Sequence, residues 1–183
     1  LLAFYSEVDA PATIVALSHF AAVNELFAKQ VEKLVRQGFQ AQEANKVAFS
    51  AFALLKWREI KASPATDRLT SRLVYLLGLN LSGGLTALLW TAGQMYVKGY
   101  LSEDDAESLA DAVPAVFDSA DYKNIAPFSR EAVSISLVRV KCVRLAKAIL
   151  DKRQDNNSEL LRVLEEAKHD ALPEVRFAET MDD

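Results

Sequence analysis

Few residues in this sequence are placed to do chemistry. Glu166 and His169 make a Glu-x-x-His step, the spacing that carboxylate-bridged di-iron bundles use twice, together with two further glutamates. The other histidine, His19, has Ala16 where a second step needs an acid. Half of that ligand set is missing. His169 reads instead as a residue near the end of a helix, where the dipole favours it. Cys142 is the only cysteine, which excludes a disulfide framework and every multi-cysteine zinc or iron–sulfur site. It shares a helix face with Val138, Leu145 and Ile149, so it reads as a small core hydrophobe. A nucleophilic thiol needs a base beside it, and neither histidine is close in sequence. Gly83-Gly84 lacks the Gly-x-x-x-x-Gly-Lys-Ser/Thr frame of a phosphate loop, and no strand precedes it. The pair reads as a turn or a close helix approach. No nucleophile elbow, kinase set or dinucleotide fingerprint occurs. The reading is therefore no catalytic set, no metal and no cofactor.

One charge pattern stands out. Lys141, Arg144, Lys147 and Lys152 fall within about 140° of a helical wheel at 100° per residue, opposite Val138, Cys142, Leu145 and Ile149. This basic stripe is the candidate contact for phosphates or other anions. The segment from Glu103 to Asp121 is its counterpart, with seven acids and no Lys or Arg. If the two segments pair, their charges partly compensate, and an ordinary solvated face is the default. A net charge of −4 also opposes a general nucleic-acid binder.

The elements that must position these residues are helices. The chain has 28 Ala and 25 Leu against 6 Gly and 5 Pro in 183 residues. Helices use Ala and Leu, whereas sheets and long loops need Gly and Pro for their turns. With 51% hydrophobic residues the chain is neither disordered nor low-complexity. Its length fits a single domain, residues 1–183, with a core that needs no staples. Val74 to Val97 carries no charge and matches the length of a membrane span. However, Asn80, Ser82, Thr86, Thr91, Gln94 and the glycine pair make it a poor insertion candidate. It reads as a turn at Asn80–Gly84 followed by a buried helix, with no membrane span. No basic n-region with an apolar core is visible at the start, so no secretory signal is expected, and mild acidity suits a cytoplasmic protein. The chain starts at Leu1 rather than Met and ends at Asp183 soon after a helix begins, so a fragment of a longer protein is expected.

Start and stop signals predict about eight helices. The first runs from Pro11 to Gln37, with a single buried stripe of Ile14, Leu17, Phe20, Val23, Phe27, Val31, Leu34 and Val35. The second covers Gln40 to Lys61 and the third Thr66 to Leu79. The fourth starts at Ser82 as N-cap and ends near Val97. The fifth starts at Ser102, with acids in its first turn, and kinks or stops early at Pro114. Asp118 to Phe128 is a loop. Ser129 caps a sixth helix, Arg130 to Lys152, which carries the basic stripe. A seventh covers Glu159 to Lys168, and an eighth begins at Pro173. No strand is predicted.

Taken in pairs, the second helices begin near Gln40, Ser82, Ser129 and Pro173. Those intervals are roughly 42, 47 and 44 residues, close to the ~40–47 of two-helix repeats. The last unit carries a local motif. Leu160, Leu161, Val163 and Leu164 lie on one helix, followed by Asp170-Ala171-Leu172-Pro173-Glu174-Val175-Arg176. This turn resembles that of a HEAT repeat, in which Asp, Pro, Val and Arg recur in that order. Pro173 is pre-shaped for a first helical position, Val175 faces the core, and Arg176 reaches back to Asp170 or to turn carbonyls of a neighbouring repeat. The resemblance is confined to residues 158–178. It departs at Phe177, which is bulky for its place, and at Ala178, one position early.

The resemblance and the period together predict an all-α chain of four helical hairpins in a HEAT/armadillo-like solenoid, with a globular helical bundle as the alternative. Such stacks present extended concave surfaces. The expected function is a non-catalytic protein-interaction or scaffold module, whose partner is another protein or another domain of the same chain. The alternative is a nucleic-acid-binding helical repeat using Lys141, Arg144, Lys147 and Lys152. A third reading is an enzyme domain with a polar site assembled from dispersed residues.

Overall fold

The computed structural model describes residues 11–79, 84–121, 129–154 and 156–180. These residues form nine α-helices and no strand: α1 (Thr13–Val23), α2 (Glu25–Phe39), α3 (Ala44–Ile60), α4 (Pro64–Gly78), α5 (Leu85–Val97), α6 (Glu103–Ser119), α7 (Arg130–Arg153), α8 (Ser158–Ala167) and α9 (Pro173–Arg176). The chain is all-helical, as its composition requires. No helix among the described residues is long and apolar enough to cross a membrane. The uncharged stretch from Val74 to Val97 is divided between α4 and α5.

The largest correction falls on the first predicted helix. Pro11 to Gln37 is two helices, broken at Asn24. Asn24 is extended, with φ −136° and ψ 109°, and its side chain accepts from the backbone N–H groups of Leu26 and Phe27 at 3.1 and 3.2 Å. An N-cap of this kind contributes about 1 kcal/mol. The break splits the predicted stripe. Ile14, Leu17, Val31 and Val35 are buried, whereas Phe20 and Val23 are exposed, and Phe20 meets Phe27 edge to face on the surface. Two smaller corrections concern α5 and α6. Gly84, not Ser82, is the N-cap of α5, and Ser82 lies outside the described residues. Pro114 stands inside α6, which nevertheless continues to Ser119. The caps at Ser102 and Ser129 form as expected, each hydroxyl accepting from a backbone N–H three residues on. Of the loop expected from Asp118 to Phe128, residues 122–128 lie outside the described residues.

Trp57, Phe117, Leu54, Leu69, Leu88 and Met95 are among the largest fully buried side chains. They belong to a single apolar core that extends from Ile14 to Ala178. Among the described residues, every substantial packing contact between helices joins helices one or two positions apart in the chain. α1 packs on α3, α3 on α5, α5 on α7 and α7 on α9. In the same way α2 packs on α4, α4 on α6 and α6 on α8.

Polar cross-links accompany six of these next-but-one contacts. Arg68 on α4 donates to Glu32 on α2 through two hydrogen bonds of 2.9 and 2.7 Å. Those bonds hold the Glu32 carboxyl below the usual carboxylate range, against the opposing effect of its partial burial. Lys98, just after α5, pairs with Glu59 on α3. Ser71 on α4 donates to Asp105 on α6 at 3.0 Å. Lys152 on α7 donates to the Tyr96 carbonyl of α5 at 2.8 Å. Arg162 on α8 grips Asp118 on α6 at 3.0 and 2.9 Å. Ser136 on α7 donates to Glu174 on α9 at 2.8 Å. Exposed pairs of this kind contribute about 0–1 kcal/mol each, so they fix the register of the helices more than the stability of the fold.

Candidate functional site

α5 and α7 run side by side in the same direction. The start of α5 lies beside the start of α7, where Thr86, Ala87, Glu131 and Ser134 line a common groove of about 490 Å³. The groove extends to Ala44 and Ala48 of α3 and to Ser119 and Ala120 at the end of α6. Farther along the same seam lies a smaller slot of about 90 Å³. Leu89, Trp90, Gly93, Gln94 and Val97 of α5 form one wall, and Lys141, Arg144, Leu145 and Ala148 of α7 form the other. The Trp90 ring is held by Phe52 of α3, edge to face, with centroids 5.3 Å apart. Earlier in α7, Val133 and Leu137 are exposed.

Gly93 opens the slot. It lies inside α5, and a Cβ placed on it meets only Leu145 Cδ1, at 3.8 Å. That is ordinary van der Waals contact, so packing does not demand glycine here. A glycine in a helix interior costs roughly 0.5–1 kcal/mol relative to alanine. The fold carries this cost without a steric return.

The basic stripe is divided between different environments. Lys152 satisfies the Tyr96 carbonyl and lies over the Tyr96 ring at 4.9 Å. Lys147 donates to both oxygens of Asp151, one turn ahead, at 3.0 Å. Lys141 and Arg144 line the slot, and each has partners of its own. Burial lowers the affinity of the Lys141 amine for its proton, and the nearby Arg144 charge lowers it further. Two acids of the α6 segment pair elsewhere. Asp105 bonds to Ser71, and Asp118 bonds to Arg162.

The remaining candidates serve the fold. Cys142 is fully buried, and burial pushes its thiol up, far from the thiolate form. His169 is exposed beyond the end of α8 and lies 3.8 Å from Glu165, while Glu166 pairs with Arg162. No cluster of three or more potential metal ligands occurs among the described residues. Asp118, Glu159 and Glu166 converge on the guanidinium of Arg162, which holds its proton more tightly for it. Among the described residues that line the large groove, Glu131 is the one carboxylate.

In the turn between α8 and α9, Arg176 donates to the carbonyls of Asp170 and Ala171, at 2.6 and 3.0 Å. It therefore secures its own turn. The Asp170 carboxylate makes the longer connection. It accepts from Leu172 N at 2.9 Å and from Arg139 Nε of α7 at 2.6 Å. Arg139 also donates to the carbonyls of Phe117 and Ala120 at the end of α6, at 3.0 and 3.1 Å, and its guanidinium lies 3.7 Å from the Phe117 ring centroid. Sequence reading did not single out Arg139, because its partners lie far away in the chain. Compared with models of protein families, with curated proteins and with solved structures, the chain matches none of them.

Proposed function

We propose that the chain is a HEAT-like, two-layer helical solenoid that acts as a non-catalytic protein-interaction module. The observation that carries this reading is the packing order, with each helix held by its neighbours one and two positions along the chain. Two rows of stacked helices satisfy that order, α1, α3, α5, α7 and α9 in one and α2, α4, α6 and α8 in the other. The starts of α3, α5, α7 and α9 at Ala44, Leu85, Arg130 and Pro173 keep a period within the ~40–47 residues of such repeats. A stack of this kind offers one row as a long surface to a partner. The row containing α3, α5 and α7 carries the groove, Trp90, Val133 and Leu137.

Two measurements test this. Removal of the α8–α9 hairpin, residues 156–180, leaves the remaining helices folded at a lower Tm, with helical circular dichroism per residue unchanged, because a stack loses only nearest-neighbour terms. Loss of all cooperative unfolding would indicate a globular bundle. For the function, the immobilised chain retains a stoichiometric protein from its source lysate after nuclease treatment. The double variant Val133→Ser, Leu137→Ser folds normally and retains it at least tenfold less. Material lost on nuclease treatment, or equal retention by the variant, would refute the reading.

A further inference from the structure

We propose that the groove between α4 and α6 seats one apolar side chain of a basic protein segment, whose cations lie along the acids of α6. Other helices form this surface than the one that carries Val133 and Leu137, and it does not depend on the solenoid reading. The groove holds about 340 Å³. Val74, Tyr75, Gly78 and Leu79 line it on the α4 side, and Asp105 and Ser108 line it on the α6 side. Tyr75 and Leu79 are large hydrophobic side chains left exposed, so the groove offers apolar surface to a side chain from outside.

The charge beside the groove specifies the occupant. Asp104 and Asp111 stand one turn before and one turn after Ser108 on the exposed face of α6, with Glu107 between them. Among the described residues, these three acids and Glu103 are exposed and make no ion pair or side-chain hydrogen bond. The helix dipole accounts for Glu103 and Asp104 in the first turn, but its effect falls off there. Glu107 and Asp111 lie beyond it. Glu103, Glu107 and Asp111 also follow one another at four-residue spacing, which sets like charges against each other along the helix. Two cations border this surface, and neither meets these acids. Arg72 lies over the Tyr75 ring at 5.0 Å, one turn after Arg68, whose side chain reaches α2. Arg162 shares a groove with Asp111 on the α8 side, but its guanidinium is already divided among Asp118, Glu159 and Glu166. An unmet acidic ridge beside an apolar groove complements a segment with an apolar anchor between lysines or arginines. The same ridge repels a nucleic acid.

Fluorescence anisotropy with a short labelled peptide, a central leucine flanked by lysines, tests the proposal on the full chain. The leucine peptide binds saturably. Its counterpart with serine in place of leucine, and its counterpart with glutamates in place of lysines, each bind at least tenfold more weakly. Tyr75→Ser weakens binding at least tenfold, as does the double variant Glu107→Lys, Asp111→Lys. All of these residues are exposed, and an unchanged Tm confirms that the variants fold. The double variant Glu25→Lys, Asp151→Lys makes the same change in net charge elsewhere on the chain and leaves the affinity within twofold. Absence of saturable binding, equal weakening by that control pair, or displacement of the peptide by calcium at constant ionic strength overturns the proposal. Val133→Ser, Leu137→Ser leaves this surface intact and binds the peptide as the parent chain does, so the proposal and the lysate-capture reading stand or fall separately.

Discussion

Arg139→Met lowers the stability of the fold by about 3–5 kcal/mol, the usual loss when one partner of a buried ion pair is removed. The Asp170 side chain is only 2% exposed, so without Arg139 its carboxylate is left with the Leu172 amide as its described partner. The carbonyls of Phe117 and Ala120 lose their donor at the same time, and an unmet buried carbonyl costs about 1–3 kcal/mol. The effect is large against the 5–15 kcal/mol of a typical domain. Urea unfolding reads it as a lower midpoint at unchanged slope. Adding Asp170→Asn to Arg139→Met recovers more than half of the loss, because it removes the stranded charge. A loss below about 1 kcal/mol in the single variant would mean that the pair contributes register alone.

Gly84→Ala is the second large effect, about 2–5 kcal/mol. Two costs combine. Gly84 has φ +71°, and a left-handed backbone costs an L-residue roughly 1–2 kcal/mol. Its Cβ would also lie 2.6 Å from Val47 Cβ and 2.7 Å from Val47 Cγ1, so α3 and α5 must separate, at about 1–3 kcal/mol for overpacking. Gly99 is the internal control. It has the same φ of +71°, but its Cβ meets nothing within 4 Å. Gly99→Ala therefore loses only the backbone cost, about 1–2 kcal/mol. The difference between the two variants in urea unfolding isolates the close approach of α3 and α5. Equal losses would refute the steric part of the argument.

The two glycines also show what a single sequence carries. Gly83-Gly84 reads directly as a turn or a close approach, and Gly84 is both. The caps at Ser102 and Ser129 and the start at Pro173 are legible because they are local, since a hydroxyl or a pyrrolidine ring acts within one turn. Asn24 is also local, but apolar residues at three- and four-residue spacing run through it without interruption. Helical periodicity therefore outweighs the capping signal until the side chain is placed. Pro114 misleads in the opposite direction, because the buried surroundings of α6 hold together a helix that proline alone would disfavour. The four cations of the basic stripe all lie on α7, but what they touch is not legible from that helix alone. No intrahelical rule places the Tyr96 carbonyl against Lys152, 56 residues away. The same distance problem hides Arg139 and Asp170, 31 residues apart. Gly93 is visible in the sequence as a glycine inside a helix, but that it borders the slot and faces Leu145 is not.

The neighbours-only packing has a consequence for how the chain is made. Among the described residues, every substantial contact between helices is available once two further helices have been synthesised, so no described helix waits for a more distant partner. Such a chain has low contact order, and low contact order gives fast folding. At a synthesis rate of roughly 5–20 residues per second, each helix has seconds to dock before its successor leaves the ribosome. The protein can assemble from its N-terminal side as it emerges, one helix at a time, with only the newest edge exposed to aggregation.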